Sequence, residues 1–294
     1  MSSRHLAQAC LALAMLLVGS TVVVSKLLAH ALDPFLATAL RLALALPCFL
    51  ILLRLSGQRW PRLGARDGCL LLAQAAAGSV GYTVLLIVGL RYTSAADAGV
   101  ILGALPLVAA SVSILLLGER PSRRLLAALA LASAGVAAIT LEPGGPRGAW
   151  LGNLLVLLAV GCEALFILLN KALRTAVPAL PLSTAMSALG LLLSLPLALP
   201  ALPGLATVPL SALLAVLYYA LLPTVAGFLL WYAGASRVSA SEASLFTALL
   251  PASALLAAAL AGETVSVRQL CGLGCVLLAL LAVLLPNGRR RGPG

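Results

Sequence analysis

Long apolar runs, separated by short breaks rich in Pro, Gly and Arg, make up most of the 294-residue chain. The runs are about 20 residues long, which is the length that an α-helix needs to cross the hydrocarbon core of a bilayer. They do not show the strict alternation of apolar and polar residues that is typical of membrane strands. The pattern therefore predicts an all-α integral membrane protein with ten transmembrane helices, at about 6–28, 34–53, 67–90, 95–117, 121–141, 150–170, 181–201, 210–233, 240–261 and 267–285.

A duplication with an offset of about 145 residues relates the two halves of the chain. The first copy runs from Ser94 to Glu119 and the second from Ser239 to Glu263. Each copy opens with Ser-Ala, has an acid at its fourth position, carries an interior Pro and closes with Gly-Glu. A repeat of this length on apolar sequence is typical of transporters built from two homologous halves. It predicts five-helix repeats at 1–142 and 149–286 and a basic cytoplasmic tail at 287–294.

Lys and Arg are distributed unevenly between the alternate loops of this ten-helix arrangement. With the N-terminus in the cytoplasm, fourteen of them fall on the cytoplasmic side and three on the opposite side, and Lys26 and Arg41 lie within the membrane. Because cytoplasmic loops are enriched in these residues, we expect both termini in the cytoplasm. Five helices are an odd number, so the second repeat is expected to be inverted relative to the first. Inverted repeats commonly surround a central substrate cavity near the bilayer midplane.

The composition excludes a water-soluble domain. Hydrophobic residues make up 62% of the chain and charged residues 9%, which a soluble protein could not carry without large exposed apolar patches. The net charge of +11 is explained by Arg in the loops, so nucleic acid is not an expected partner. The first apolar run could be a signal peptide, but its length and the similar runs that follow it favour a retained helix.

Catalytic groups are scarce along the sequence. The two histidines, His5 and His30, lie in or near predicted loops, and no Gly-rich loop with a Lys could hold a nucleotide. The six cysteines lie in or at the edges of apolar segments, where thiols usually pack as small residues, and no disulfide is expected. We therefore expect no enzyme activity, no cofactor and no metal site.

The chain resembles the drug/metabolite transporter superfamily, in particular the ten-helix exporters made of two EamA-type domains. The resemblance rests on Pro34 to Arg41, the two copies of the duplicated block, and Trp231-Tyr232-Ala233. It implies export of small metabolites, often amino acids, from the bacterial cytoplasm across the inner membrane, through a cavity lined by helices 1, 3, 4, 6, 8 and 9. Ala188 lies roughly where a second copy of Arg41 would fall. The two halves are therefore expected to have unequal roles, or the arginine is not required in one of them.

Arg41 and Glu163 are the charged residues predicted deep within the membrane. Charges at such depth should face protein or a watery cavity. Arg41 could bind a substrate carboxylate, or it could have a structural role, bonded to backbone carbonyls or to an acidic side chain. Glu163 could bind a substrate amine or carry a proton, or it could be a protonated residue bonded to a neighbouring helix. Phe166 and Asn170 share its helical face.

Two further faces combine aromatic, small and polar residues at a spacing of four. Their candidate cavity residues are Gln74, Gly78 and Tyr82 in the third segment and Tyr219, Gly227 and Trp231 in the eighth. Such faces suit an apolar or aromatic ligand side chain. The alternative is ordinary helix packing and interfacial aromatic belts. The acids at the helix starts, Asp97, Glu119, Glu242 and Glu263, are expected to be structural.

The sequence predicts a secondary transporter that exports amino acids, with hydrophobic or aromatic ones preferred, by alternating access. Its partners are expected to be a small-molecule substrate and the lipid bilayer, and a monomer is compatible with the pattern. Drugs, nucleotide sugars or other metabolites are alternative cargoes for the same fold. A membrane enzyme or a lipid-handling protein is the alternative from another class.

Overall fold

The computed structural model describes residues 3–58, 60–61, 63–117, 123–140, 148–175, 177–235, 237, 246 and 249–284. Within these residues all regular structure is helical, which confirms the all-α prediction. The α-helices are α1 Ser3–Ala31, α2 Pro34–Ser56, α3 Ala65–Gln74, α4 Tyr82–Gly89, α5 Ala95–Leu102, α6 Leu105–Leu117, α7 Arg123–Thr140, α8 Ala149–Lys171, α9 Ala179–Ala198, α10 Leu210–Tyr219, α11 Gly227–Ala235, α12 Leu249–Leu260 and α13 Val267–Leu284.

Six helical stretches of the described chain are long and apolar enough to cross a membrane: His5–Ala31, Pro34–Ser56, Ala65–Gly89, Ala149–Asn170, Ala179–Thr207 and Leu210–Trp231. Shorter apolar helices lie at Leu126–Ala138, Leu249–Leu260 and Val267–Ala279. The molecule is therefore a multi-span helical membrane protein. The helix count of ten stays a prediction, although each of the ten apolar segments contains a described helix.

Local sequence signals set several helix ends. The carboxylate of Asp33 accepts hydrogen bonds from the backbone N–H groups of Phe35 and Leu36, at 2.9 and 3.0 Å, and caps α2. Ser94 caps α5 in the same way through the N–H of Asp97. These side chains satisfy N–H groups that have no partner within a helix. Gly57 ends α2 with a positive φ of 64°, a conformation that favours glycine.

Seven-residue π-helical turns interrupt the third and the eighth apolar segments. The first turn, Ala75–Gly81, joins α3 to α4, and the second, Ala220–Ala226, joins α10 to α11. The two turns are 145 residues apart, which is the offset of the sequence duplication. In the second turn the hydroxyl of Thr224 donates to the carbonyl of Tyr219, five residues earlier, at 2.8 Å. Such turns are rare and occur frequently at functional sites.

Helix packing follows the same duplication. Helix α1 packs against α11 and α12, and α8 packs against α4 and α6. The pairs α2 with α9, α5 with α12 and α7 with α13 also pack together. Each of the first five apolar segments has a counterpart among the last five. If every segment is replaced by its counterpart, the same set of packing pairs results. Small residues allow the closest crossings: a Cβ at Gly152 would lie 2.8 Å from the carbonyl oxygen of Gly89.

A polar cluster ties α1, α5, α8 and α13 together at one end of the bundle. The Glu263 carboxylate accepts from the N–H groups of Ala95 and Ala96, so it caps α5 rather than the following helix. Gln269 donates to Asp97 at 2.7 Å, and Lys26 donates to the carbonyls of Leu90 and Thr93. These contacts are consistent with structural roles for Asp97 and Glu263. Glu119 and Glu242 lie outside the described residues.

Candidate functional site

A central cavity of about 280 Å³ lies between the two halves of the chain. Its walls come from α1, α2, α4, α8, α10, α11 and α12, from both π turns, and from the joint between α5 and α6. Apart from α2, which contributes Arg41, these elements belong to apolar segments 1, 3, 4, 6, 8 and 9, the helices that the family resemblance implies. Both π turns therefore face the cavity, at repeat-equivalent positions.

Most of the predicted site residues meet in this cavity. Eight of the ten candidates line it: Arg41, Gly78, Tyr82, Glu163, Phe166, Tyr219, Gly227 and Trp231. The structure brings them together because residues spaced by four share one helix face, and these faces point inward.

Two candidates lie elsewhere. Asn170 is exposed near the end of α8 and is not part of this cavity lining. It follows Glu163 by seven residues, which places it about 10 Å further along the helix. Gln74 is fully buried and is not part of the lining either.

The guanidinium of Arg41 is held in place by the first π turn and by an aromatic ring. Its Nη2 donates to the carbonyl of Ser79 at 3.1 Å and to the hydroxyl of Thr83 at 3.0 Å. Its central carbon lies 4.7 Å from the centre of the Tyr219 ring, in a cation–π contact. The buried Nε has no hydrogen-bond partner among the described residues. The guanidinium is therefore oriented by the bonds at Nη2, and its Nε–H can still donate a hydrogen bond to a ligand.

Glu163 faces the same cavity from α8. Within the described part of the chain no ion pair joins it to Arg41, although the positive charge of Arg41 acts on it electrostatically. The cavity therefore contains an acidic and a basic side chain that do not form a direct ion pair. Burying such charges is unfavourable unless each finds a partner.

Aromatic rings and glycines shape the rest of the cavity. Tyr82 and Trp231 contribute large walls. Phe166 lies directly against the backbone of Gly78, where a Cβ would be 2.3 Å from the ring. Only glycine permits this approach. The result is a mainly apolar cavity with few polar groups, as in most small-molecule sites.

The sequence interpretation missed the polar residues Thr21 and Thr224, which also line the cavity. The repeat offset could have found Thr21, because it is the counterpart of Phe166, 145 residues earlier. Thr224 lies in the second π turn, whose altered register is not visible in an apolar sequence.

A second, larger cavity of about 680 Å³ lies between α6, α7 and α8. Its lining is mostly aliphatic, with Ser111, Ser133 and Asn153 as the polar members. No charged side chain belongs to this lining as the structure describes it. The central cavity is the better candidate site because it combines opposite charges, aromatic walls and both repeats.

A membrane-spanning helical fold around a cavity with few convergent polar groups is compatible with a membrane transporter. A model of the EamA-like transporter family matches residues 5–141 and 150–285. The chain belongs to the EamA-like transporter family.

Known proteins similar to this chain are transporters as well. An uncharacterized transporter of Bacillus subtilis, YetK, is 36% identical over 274 residues, covering 91% of this chain and 83% of the relative. A probable terminal-alkyne amino-acid exporter of Streptantibioticus cattleyicolor is 29% identical over 240 residues, covering 80% and 78%. A solved structure superimposes with a TM-score of 0.60 at 19% identity and covers 96% of both chains, which supports the fold alone.

Proposed function

We propose that this protein exports zwitterionic amino acids, with hydrophobic or aromatic side chains preferred, from the bacterial cytoplasm. The observation that carries the proposal is the pair Arg41 and Glu163, which face one cavity without a direct ion pair. A zwitterion brings the opposite charge to each of them. The similarity to a probable terminal-alkyne amino-acid exporter supports the same class of substrate.

The carboxylate of the substrate is assigned to Arg41. A guanidinium presents its donors in a rigid fork that matches a carboxylate, and Ser79 and Thr83 already fix its orientation. The ammonium group is assigned to Glu163. Both pairs are charge-assisted hydrogen bonds in a water-poor site, where they are stronger than in water.

The size and walls of the cavity match one amino acid. A volume of about 280 Å³ is just below the roughly 300–1,000 Å³ of small-molecule pockets, so the ligand must be small. Tyr82, Phe166 and Trp231 offer ring faces on which an apolar side chain can pack. A single arginine gives little compensation for a strongly anionic cargo such as a nucleotide sugar.

Alternating access between two inverted halves is the proposed mechanism. It is supported by the two matches to one family model, by the repeat-equivalent π turns and by the exchangeable helix pairs. In such transporters one half rocks against the other around a fixed site. We place the protein in the inner membrane with both termini in the cytoplasm, on the distribution of Lys and Arg.

Binding of matched ligands to the purified protein tests this assignment. Leucine should raise the midpoint of thermal unfolding, whereas its analogues without the carboxylate or without the amine should need about tenfold higher concentrations for the same shift. In Arg41→Gln, leucine and its analogue without the carboxylate should shift the unfolding midpoint at similar concentrations. In Glu163→Gln, the same should hold for leucine and its analogue without the amine. Equal binding of all three ligands to the native protein would refute the zwitterion assignment.

A further inference from the structure

Gln74 is a buried polar residue that the proposed site does not use. Its side chain has no exposed surface, and neither its amide nitrogen nor its amide oxygen has a hydrogen-bond partner among the described residues. Leaving both ends of an amide buried and unpaired is unfavourable. An apolar residue would therefore stabilise this conformation better, which suggests that the amide acts in another one.

Gln74 lies close in sequence to two residues of the cavity wall. It is the last residue of α3, four residues before Gly78 and eight before Tyr82, and both of these line the cavity. The ring of Phe166 lies against Gly78, and Phe166 lines the cavity as well. The same ring packs against the apolar cluster that contains Leu71 and Ala75, which flank Gln74. Phe166 thus borders both the cavity and the apolar cluster that flanks Gln74.

The duplication gives Gln74 a counterpart in the site. A shift of 145 residues, the separation of the two π turns, leads from Gln74 to Tyr219. Tyr219 lines the cavity and supports the guanidinium of Arg41. In transporters with inverted repeats, the two halves exchange their arrangements when the site opens to the other side. The position of Gln74 should then resemble the present position of Tyr219.

We propose that the Gln74 amide is a second substrate-binding group, hidden behind Phe166 in this conformation and exposed to the amino acid in the oppositely open one. The amide N–H can donate to the carboxylate, and the amide oxygen can accept from the ammonium group. This inference rests on the proposed transport of amino acids. Movement of the Phe166 ring away from Gly78 is the step that uncovers the amide.

Cysteine accessibility tests the hidden position without reference to any substrate. In a variant with the six native cysteines replaced, Gln74→Cys should react slowly with a small cationic methanethiosulfonate reagent. Adding Phe166→Ala should accelerate the reaction about tenfold or more, because the ring no longer covers the site. Ala45→Cys is the matched control, since Ala45 is equally buried but belongs to an apolar cluster that does not include Phe166. Equal rates for both cysteines in both backgrounds would overturn the proposal.

Gln74→Leu separates a binding role from a packing role. Because the substitution removes the unpaired amide, the unfolding temperature should stay the same or rise. The KM for leucine transport should increase about tenfold, because one hydrogen bond to the substrate is lost. Gln269→Leu is the control, because that amide donates to Asp97 and its loss should lower stability. Unchanged KM in Gln74→Leu would show that the amide does not touch substrate. If the native protein transports no amino acid, the proposed function fails, and the cysteine rates still decide whether Phe166 hides Gln74.

Discussion

At the scale of single residues, the contacts of Arg41 explain how a positive charge is stabilised within a membrane-spanning helix. The carbonyl of Ser79, the hydroxyl of Thr83 and the ring of Tyr219 each compensate part of its charge. None of the three is an anion. The guanidinium therefore remains the strongest site for a carboxylate that enters the cavity.

Arg41→Lys tests the geometry of this site with the charge retained. A lysine cannot present a rigid fork to a carboxylate while bonding Ser79 and Thr83. We expect transport efficiency, kcat/KM, to fall about tenfold or more, which corresponds to the loss of one good charged hydrogen bond. Arg91→Lys is the control, since Arg91 donates to the carbonyls of Ala29 and Leu32 outside the cavity. Similar losses in both variants would indicate a general structural effect.

The aromatic walls provide a second test at this scale. Trp231→Ala and Tyr82→Ala should each lower export of leucine while membrane insertion and detergent stability are retained, because each ring is only partly buried and borders the open cavity. The measurement is transport beside a thermal-unfolding assay for each variant. If stability falls in step with transport, the rings are packing residues and the substrate lies elsewhere.

Much of the candidate site could be predicted from the sequence, for a physical reason. Spacings of four residues place side chains on one helix face, and in a membrane the face with charges and small residues must turn inward. This reasoning found Arg41, Glu163 and Trp231. It did not place Asn170, which lies outside this cavity, because a shared face says nothing about how far along the helix a cavity extends. It also could not predict that the Gln74 amide is buried without a partner among the described residues, which depends on packing between helices.

At the scale of helices, apolar length predicted the segments well, whereas interruptions within them stayed invisible. The two π turns are of this kind. Pro223 indicates a distortion in the second turn, but the first turn, Ala75–Gly81, has no proline. The break between α5 and α6 at Gly103 also divides what reads as one apolar run. Contacts with neighbouring helices can satisfy the freed backbone groups at such places.

The crossing of α4 and α8 depends on glycine. At Gly152 a Cβ would lie 2.8 Å from the Gly89 oxygen and from the Thr93 nitrogen, both backbone atoms. Gly152→Ala should therefore destabilise the protein by about 1–3 kcal/mol, the usual range for overpacking. Gly161 lies in the same helix with open space around it, so Gly161→Ala should be neutral or slightly stabilising. Thermal unfolding of both variants is the comparison, and equal effects would contradict a tight crossing at Gly152.

At the scale of the whole molecule, the proposed inversion of the two halves predicts which loops lie on each side of the membrane. Single cysteines near Arg62 and Arg123 in a cysteine-free variant should be labelled only from the cytoplasm. Those near Gly145 and Thr207 should be labelled only from outside, because five helices per repeat place the two ends of a repeat on opposite sides. The measurement is labelling with a membrane-impermeant reagent in intact cells and in inverted vesicles. Cytoplasmic labelling near Gly145 would contradict the inverted repeat.

If this transporter carries zwitterionic amino acids through the cavity between its halves, it should catalyse counterflow. Proteoliposomes loaded with unlabelled leucine should accumulate labelled leucine from outside faster than protein-free liposomes do. Phenylalanine should compete, while the amine and acid analogues should compete about tenfold less well. Arg41→Gln should abolish the accumulation, because the carboxylate loses its partner. Counterflow no greater than in protein-free liposomes across a panel of labelled amino acids would contradict the account.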